Sequence, residues 1–220
     1  MYPINNIAGI EEQEEKYKKN HGIMLLFVKP TDKNASEIID NFNYLHKKAK
    51  DYCAIYAIGY SQVGCNKQYD DVRIVKGTSN QNWEYSDECF IEVCEQLEKR
   101  LTNWFYVGEP TIIFLQNNVD GKSSKLNFRN YNHIDINYGI EKGYIDSFQR
   151  FMERIIRACK NECEENVLKR AKNSRFSGRN LIQLALEYDN KLPQVIKDII
   201  GDRVFFKSCR ISNKNTSVVL

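Results

Sequence analysis

VGEPTIIFLQNNVDGKSSKLNF, residues 107–128, is the stretch whose reading decides the fold. It is either a strand entering a phosphate-binding loop or two strands joined by a turn. A phosphate loop needs an earlier glycine so that backbone amides can wrap the phosphates. The position that should carry it is Gln116. The loop also needs a helix directly after its lysine, whose free amides hold the anion. The chain after Ser124 instead reads KLNFRNYNHIDIN, where Leu126, Phe128, Tyr131, Ile134 and Ile136 give an extended, Asn-rich segment. The stretch therefore reads as two strands paired through a turn at Asp120-Gly121, with Lys122 a surface charge.

Outward from the hairpin, the chain alternates apolar runs with helical patterns. Residues 8–20 read as a short charged helix, and GIMLLFVKP (22–30) as a buried strand stopped by proline. Residues 35–50 place Ile38, Ile39, Phe42 and Leu45 at helical spacing, with Asn34 or Ser36 as cap. CAIYAIGY (53–60) is a second buried strand. Residues 61–82 are polar and read as a surface excursion with one short strand at 72–75. Residues 86–104 form a strongly amphipathic helix capped by Ser86 or Asp87, with Phe90, Val93, Cys94, Leu97 and Leu101 on one face. A further helix is expected at 144–160, a helical tail to about 200, and a strand at 203–211. Strands separated by helices argue an α/β fold. The two domains expected are an α/β domain over 1–163 and a helical extension and tail over 164–220.

Composition excludes some classes of function. With 42% hydrophobic and 28% charged residues, the chain is globular rather than disordered, and its net charge of +3 does not announce a nucleic-acid partner. The acidic, amphipathic N-terminus does not read as a signal peptide, and no apolar run reaches the length of a membrane span. The seven cysteines are odd in number and scattered, which fits reduced thiols in a cytoplasmic protein.

Several motifs carry candidate chemistry. Gly59-Tyr60-Ser61 at a strand end is similar to a nucleophile elbow, but the second glycine is displaced and a poor helix comes after it. It leaves a serine hydrolase using Ser61 as an alternative, with His133 the histidine downstream that could serve it. Asp70, Asp71, His133 and Asp135 could approach a divalent ion, although Asp70-Asp71 reads more simply as a turn. Cys159 and Cys163 share a helical face at a spacing known for zinc, but no second pair completes a site, so packing explains them. No metal or cofactor is assigned. The basic segment VLKRAKNSRFSGR holds Lys169, Arg170, Lys172, Arg175 and Arg179 around Phe176, with no acid among them. Cations with an interleaved aromatic suit phosphates and stacked bases, so nucleic acid is an alternative partner. Trp83, Tyr85, Trp104, Phe105 and Tyr106 read as caps on the core, with an exposed subset as a possible interaction patch.

The order strand, helix, strand, long helix, GEPTIIFLQN, hairpin and closing helix resembles the thioredoxin fold over about residues 8–163. In that family a cis-proline stands just before a threonine and an apolar strand, and Pro110 before Thr111 would be that proline. The departure is chemical. The segment after the first central strand reads Val28-Lys29-Pro30-Thr31-Asp32-Lys33-Asn34, without the Cys-x-x-Cys of the redox members, and no other CxxC occurs. The resemblance implies a thioredoxin-like mixed sheet flanked by helices, redox-inactive, with a C-terminal helical extension. It also implies a peptide groove at Thr31, Asp32, Glu109 and Pro110. The expected role is a non-enzymatic binding or adaptor protein with a protein or peptide partner, one component of a bacterial multi-protein system.

Overall fold

The computed structural model describes residues 2–4, 6–16, 21–49, 52–65, 68–76, 82–119, 124–168 and 206–210. Its centre is a six-stranded mixed sheet in the order β1-β3-β2-β7-β8-β9. The strands are β1 (Tyr2–Ile4), β2 (Gly22–Phe27), β3 (Cys53–Ile58), β7 (Thr111–Val119), β8 (Ser124–Asp135) and β9 (Phe206–Arg210). β1, β3 and β2 run parallel, and β7, β8 and β9 continue antiparallel. The hairpin expected at 107–128 is thus present as β7 and β8, although residues 120–123, which hold its turn, lie outside the described ones. Its register shifts between Leu115, which faces Tyr131, and Gln116, which faces Asn127, so β8 carries a bulge there.

β2 and β3 are buried at every position. Continuous apolar runs of this kind need cover on both faces. One layer is α2 (Ala35–Asp40), α3 (Phe42–Ala49) and α6 (Phe148–Leu168), and the other is α1 (Ile7–Glu15) and α4 (Asp87–Arg100). The helix expected over 35–50 is interrupted at Asn41, whose side-chain amide donates to the Glu37 carbonyl at 2.8 Å. Side-chain bonds of this type compete with the helical ladder. Ser86 caps α4, accepting from the Cys89 amide at 3.0 Å, and the apolar face expected for that helix is buried.

The excursion is more ordered than the sequence suggests. It forms a second, three-stranded antiparallel sheet of β4 (Tyr60–Gln62), β6 (Asn82–Tyr85) and β5 (Arg73–Lys76). Gly59 hands the chain from one sheet to the other at φ 80. A Cβ there would meet Phe90 Cβ at 2.9 Å and the Tyr85 ring at 3.0 Å, so only glycine fits. The Gly59 carbonyl also accepts the Ser86 amide at 3.2 Å, tying the kink to the start of α4.

The expected boundary at 163/164 falls inside α6, and β9 returns to the main sheet beside β8. Most of the helical extension expected over 164–220 lies outside the described residues. The Glu109–Pro110 bond is trans, because no cis peptide occurs among the described residues, so Pro110 is not the cis-proline the resemblance implied. No helix among them is long and apolar enough to cross a membrane.

Candidate functional site

In the register of the sheet, Phe27 of β2 faces Thr111 of β7, which faces Asp135 of β8. The carboxyl ends of β2, β3 and β8 and the start of β7 therefore share one edge. Open α/β sheets collect ligands beyond the carboxyl ends of their parallel strands. The loop after β2, the Gly59 kink, the start of α4 and the loop before β7 all meet there.

Beneath this edge lies a continuous aromatic floor. Tyr60 packs on Phe42 at 5.1 Å and on Tyr85 at 4.8 Å between ring centres; Tyr106 packs on Phe90 at 5.0 Å, and Phe27 on Trp104 at 5.0 Å. Trp83, Tyr85 and Trp104 are core, as expected, and Tyr106 is half-buried. Phe105 is 63% exposed and Val107 61%, so the two neighbours of Tyr106 project into solvent.

Polar groups stand on the floor. Asp32 Oδ2 accepts the Lys29 amide at 2.6 Å and the Tyr106 hydroxyl at 3.3 Å. Asp87 accepts the Tyr85 hydroxyl at 3.1 Å and pairs with Arg73 at 2.9 Å and Lys29 at 3.7 Å. Arg73 also lies over the Tyr85 ring and Lys29 over the Phe90 ring. A second chain of bonds walls the site. The Asn34 amide donates to Asn137 Oδ1 at 3.1 Å, and the Asn137 amide donates to Glu109 Oε2 at 2.5 Å.

Burial pushes the Asp32 carboxyl above the usual carboxylate range; the Lys29 amide and the Tyr106 hydroxyl draw it part of the way back, and Glu109 raises it further. Burial likewise lifts the phenols of Tyr85 and Tyr106 far above their ordinary range, helped by Asp87 and Asp32 respectively. Tyr60 is the outlier. It is 0% exposed, burial pushes its phenol far above the ordinary range, and its hydroxyl has no hydrogen-bond partner among the described residues. A buried hydroxyl without a partner costs about 1–3 kcal/mol, so its retention calls for a reason.

Of the groove residues expected, Asp32, Glu109 and Pro110 meet at this edge, and Thr31 is exposed on the adjoining loop. The backbone there is already engaged: the Glu109 carbonyl accepts the Thr111 hydroxyl at 2.9 Å, and the Pro110 carbonyl accepts the Ile136 amide at 2.9 Å. Sequence reading missed Tyr60, Tyr85 and Asp87 as site members. Their signal was Gly59-Tyr60 directly after a buried strand, which only the kink makes meaningful.

The other candidates fall elsewhere. Ser61 is buried in β4, its hydroxyl donating to the Gln62 carbonyl at 3.3 Å, and residues 62–65 continue as strand and turn rather than helix. Asp70 and Asp71 form a turn as expected. Asp71 accepts the Ser86 hydroxyl at 2.6 Å and the Glu88 amide at 3.0 Å, bracing the start of α4. Burial would raise its carboxyl, but those bonds outweigh it and hold it below the usual range. Asp135 caps α5 (Ile136–Glu141) through the Tyr138 amide at 2.9 Å. No group of metal-ligating side chains assembles among the described residues. Cys53, Cys65, Cys89, Cys94 and Cys159 form no disulfide among the described residues. Burial pushes Cys89 up to about 11 and Cys94 up to about 12, away from nucleophilic chemistry. Lys169, Arg170, Lys172, Arg175, Phe176 and Arg179 lie outside the described residues, as does the side chain of Cys163. No family model, no curated protein and no solved structure matches the chain.

Proposed function

We propose that the chain is a non-enzymatic binding protein of thioredoxin-like architecture, whose protein or peptide partner engages the carboxyl edge of the main sheet. The observation that carries this reading is the pairing of half-buried Asp32 and Tyr106, and of Glu109 exposed on the loop before β7, with the exposed apolar side chains of Phe105 and Val107. Interfaces combine apolar anchors with a few placed polar groups in this way. The order of β2, α2–α3, β3, α4, β7–β8 and α6 supports the thioredoxin-like part, and the trans bond at Pro110 takes away its most specific mark. Asp32 and Thr31 stand where a redox member would carry cysteines, which favours recognition over dithiol exchange.

Because the Glu109 and Pro110 carbonyls are already engaged, recognition at this edge uses side chains rather than strand addition. The test is affinity capture with the full chain, compared with a Phe105→Arg/Val107→Arg variant. Both positions are exposed, so the variant keeps its fold. A bound protein retained by the natural chain and lost from the variant is the expected result. Identical captured sets would end the proposal.

A further inference from the structure

The face of α4 turned away from the core is apolar at one point and acidic around it. Ile91 is 49% exposed, and Glu88, Glu95 and Glu98 lie three before, four after and seven after it. That spacing places all four on one helical row. The loop before β7 runs back along this row. The Tyr106 amide donates to Glu98 Oε1 at 3.1 Å, and the Tyr106 ring packs on Phe90, the neighbour of Ile91. Phe105 and Val107, exposed on either side of Tyr106, therefore border the same row. The charge around this apolar trio has one sign. Glu88, Glu92, Glu95, Glu98 and Glu109 make no ion pair among the described residues. The cations of α4, Lys99 and Arg100, stand in its last turn, and Arg100 is committed to Glu11 at 2.6 Å.

We propose that this surface docks a basic amphipathic segment of another protein. Its apolar side chains lie on Ile91, Phe105 and Val107, and its lysines or arginines lie over the glutamates of α4. The inference rests on the binding reading above and names the chemistry of the partner. Three large apolar side chains exposed on one surface mark a place of contact. The carboxylates around them decide what makes that contact, because interfaces bring opposite potentials together and penalise like charges. Nucleic acid, anionic lipid and acidic segments are repelled by those carboxylates. An amphipathic helix with apolar residues three and four apart presents one apolar stripe to the trio and flanks it with cations. The net charge of +3 belongs to the chain as a whole and does not describe this face.

The test is titration of the isotope-labelled full chain, monitored through amide shifts, with the acetylated, amidated peptide Lys-Leu-Lys-Lys-Leu-Leu-Lys-Lys-Leu. One counterpart carries glutamate for lysine and another serine for leucine. The basic apolar peptide should shift the amides of 88–98 and 105–109 and bind about tenfold more tightly than either counterpart. Its affinity should fall as salt is added. Glu92→Lys/Glu95→Lys and Ile91→Ser/Phe105→Ser should each weaken binding about tenfold without lowering the unfolding midpoint. Glu12→Lys/Glu15→Lys, the same charge change at exposed positions of α1, should leave it nearly unchanged. Equal weakening by the α1 variant, equal binding of the serine peptide, or no shift at 88–98 would overturn the inference. Self-association of the chain that Ile91→Ser/Phe105→Ser abolishes would give the face to a second copy and overturn it too. Peptide binding that appears only after Lys169→Ala/Arg170→Ala/Lys172→Ala would do the same by giving the face to the chain's own basic segment. A captured partner that needs Phe105 and Val107 but is indifferent to Glu92→Lys/Glu95→Lys would end this inference and leave the binding reading standing.

Discussion

Two buried polar sets lie at opposite ends of β2, and they are built to different ends. At the amino end, Glu14 is 0% exposed; its Oε1 accepts the Tyr56 hydroxyl at 2.5 Å, and its Oε2 lies 2.8 Å from His21 Nε2. That last contact is a close approach without hydrogen-bond orientation. The carboxylate, phenol and imidazole nevertheless answer one another, and the set ties α1 to β3 and to the start of β2. At the carboxyl end, Asp32 is half-buried and accepts only the Lys29 amide and the Tyr106 hydroxyl, and Tyr60 lacks a hydrogen-bond partner among the described residues. The first set is closed on itself and reads as structure. The second leaves one fully buried hydroxyl unanswered among the described residues.

Substitutions can break this contrast. The largest effect is expected at Glu14→Leu, which removes the acceptor of the Tyr56 hydroxyl and the carboxylate beside His21 from the interior. Removing one member of a buried ionic set costs about 3–5 kcal/mol, to be read as a lower midpoint in urea unfolding. Gly59→Ala comes next at roughly 2–4 kcal/mol, from left-handed backbone strain plus overpacking against Phe90 and Tyr85. Its loss should spread to the second sheet, which hydrogen exchange of 60–62 and 82–85 would register.

Paired tyrosines sharpen the comparison most directly. Tyr56→Phe removes the donor to Glu14 and should lose about 1–2 kcal/mol, whereas Tyr60→Phe removes an unsatisfied group and should lose nothing or gain about 1 kcal/mol. Equal losses at both positions would show that the two sets are alike. The smallest effect is at Asp32→Asn. Folding raises the Asp32 carboxyl above its ordinary 3.8, so whatever stability it contributes is present below that pH and is lost as pH climbs through the folded value. The variant should therefore gain on the natural chain as pH rises from 3 through the carboxyl range, by about 1 kcal/mol or less.

Much of the scaffold could be read in the sequence because its signals are local. Continuous apolar runs mark β2 and β3, the 3.6-residue spacing after Ser86 marks α4, and alternation after Ser124 marks β8. The second sheet could not be read so easily. Its strands are three or four residues long, and Ile74 is 58% exposed, so neither length nor period stands out. The break at Asn41 depends on one side chain choosing a carbonyl over solvent. The trans state of the Glu109–Pro110 bond has no signature in residue order, since either isomer is open to an X–Pro bond.

The candidate site divides the same way. Asp32, Glu109 and Pro110 came from the resemblance to the thioredoxin fold, which implied a groove at the loops flanking the central strands. Tyr60, Tyr85 and Asp87 joined them only through the turn at Gly59, which swings two sheets over one aromatic floor. The sequence by itself determined the α/β class, the hairpin in place of a phosphate loop, and the want of cysteines after β2, because each rests on residue type and local spacing. Tertiary structure alone decided which carboxylates are buried and which hydroxyl is left without a hydrogen bond, because burial and hydrogen-bond satisfaction depend on groups brought together from distant parts of the chain.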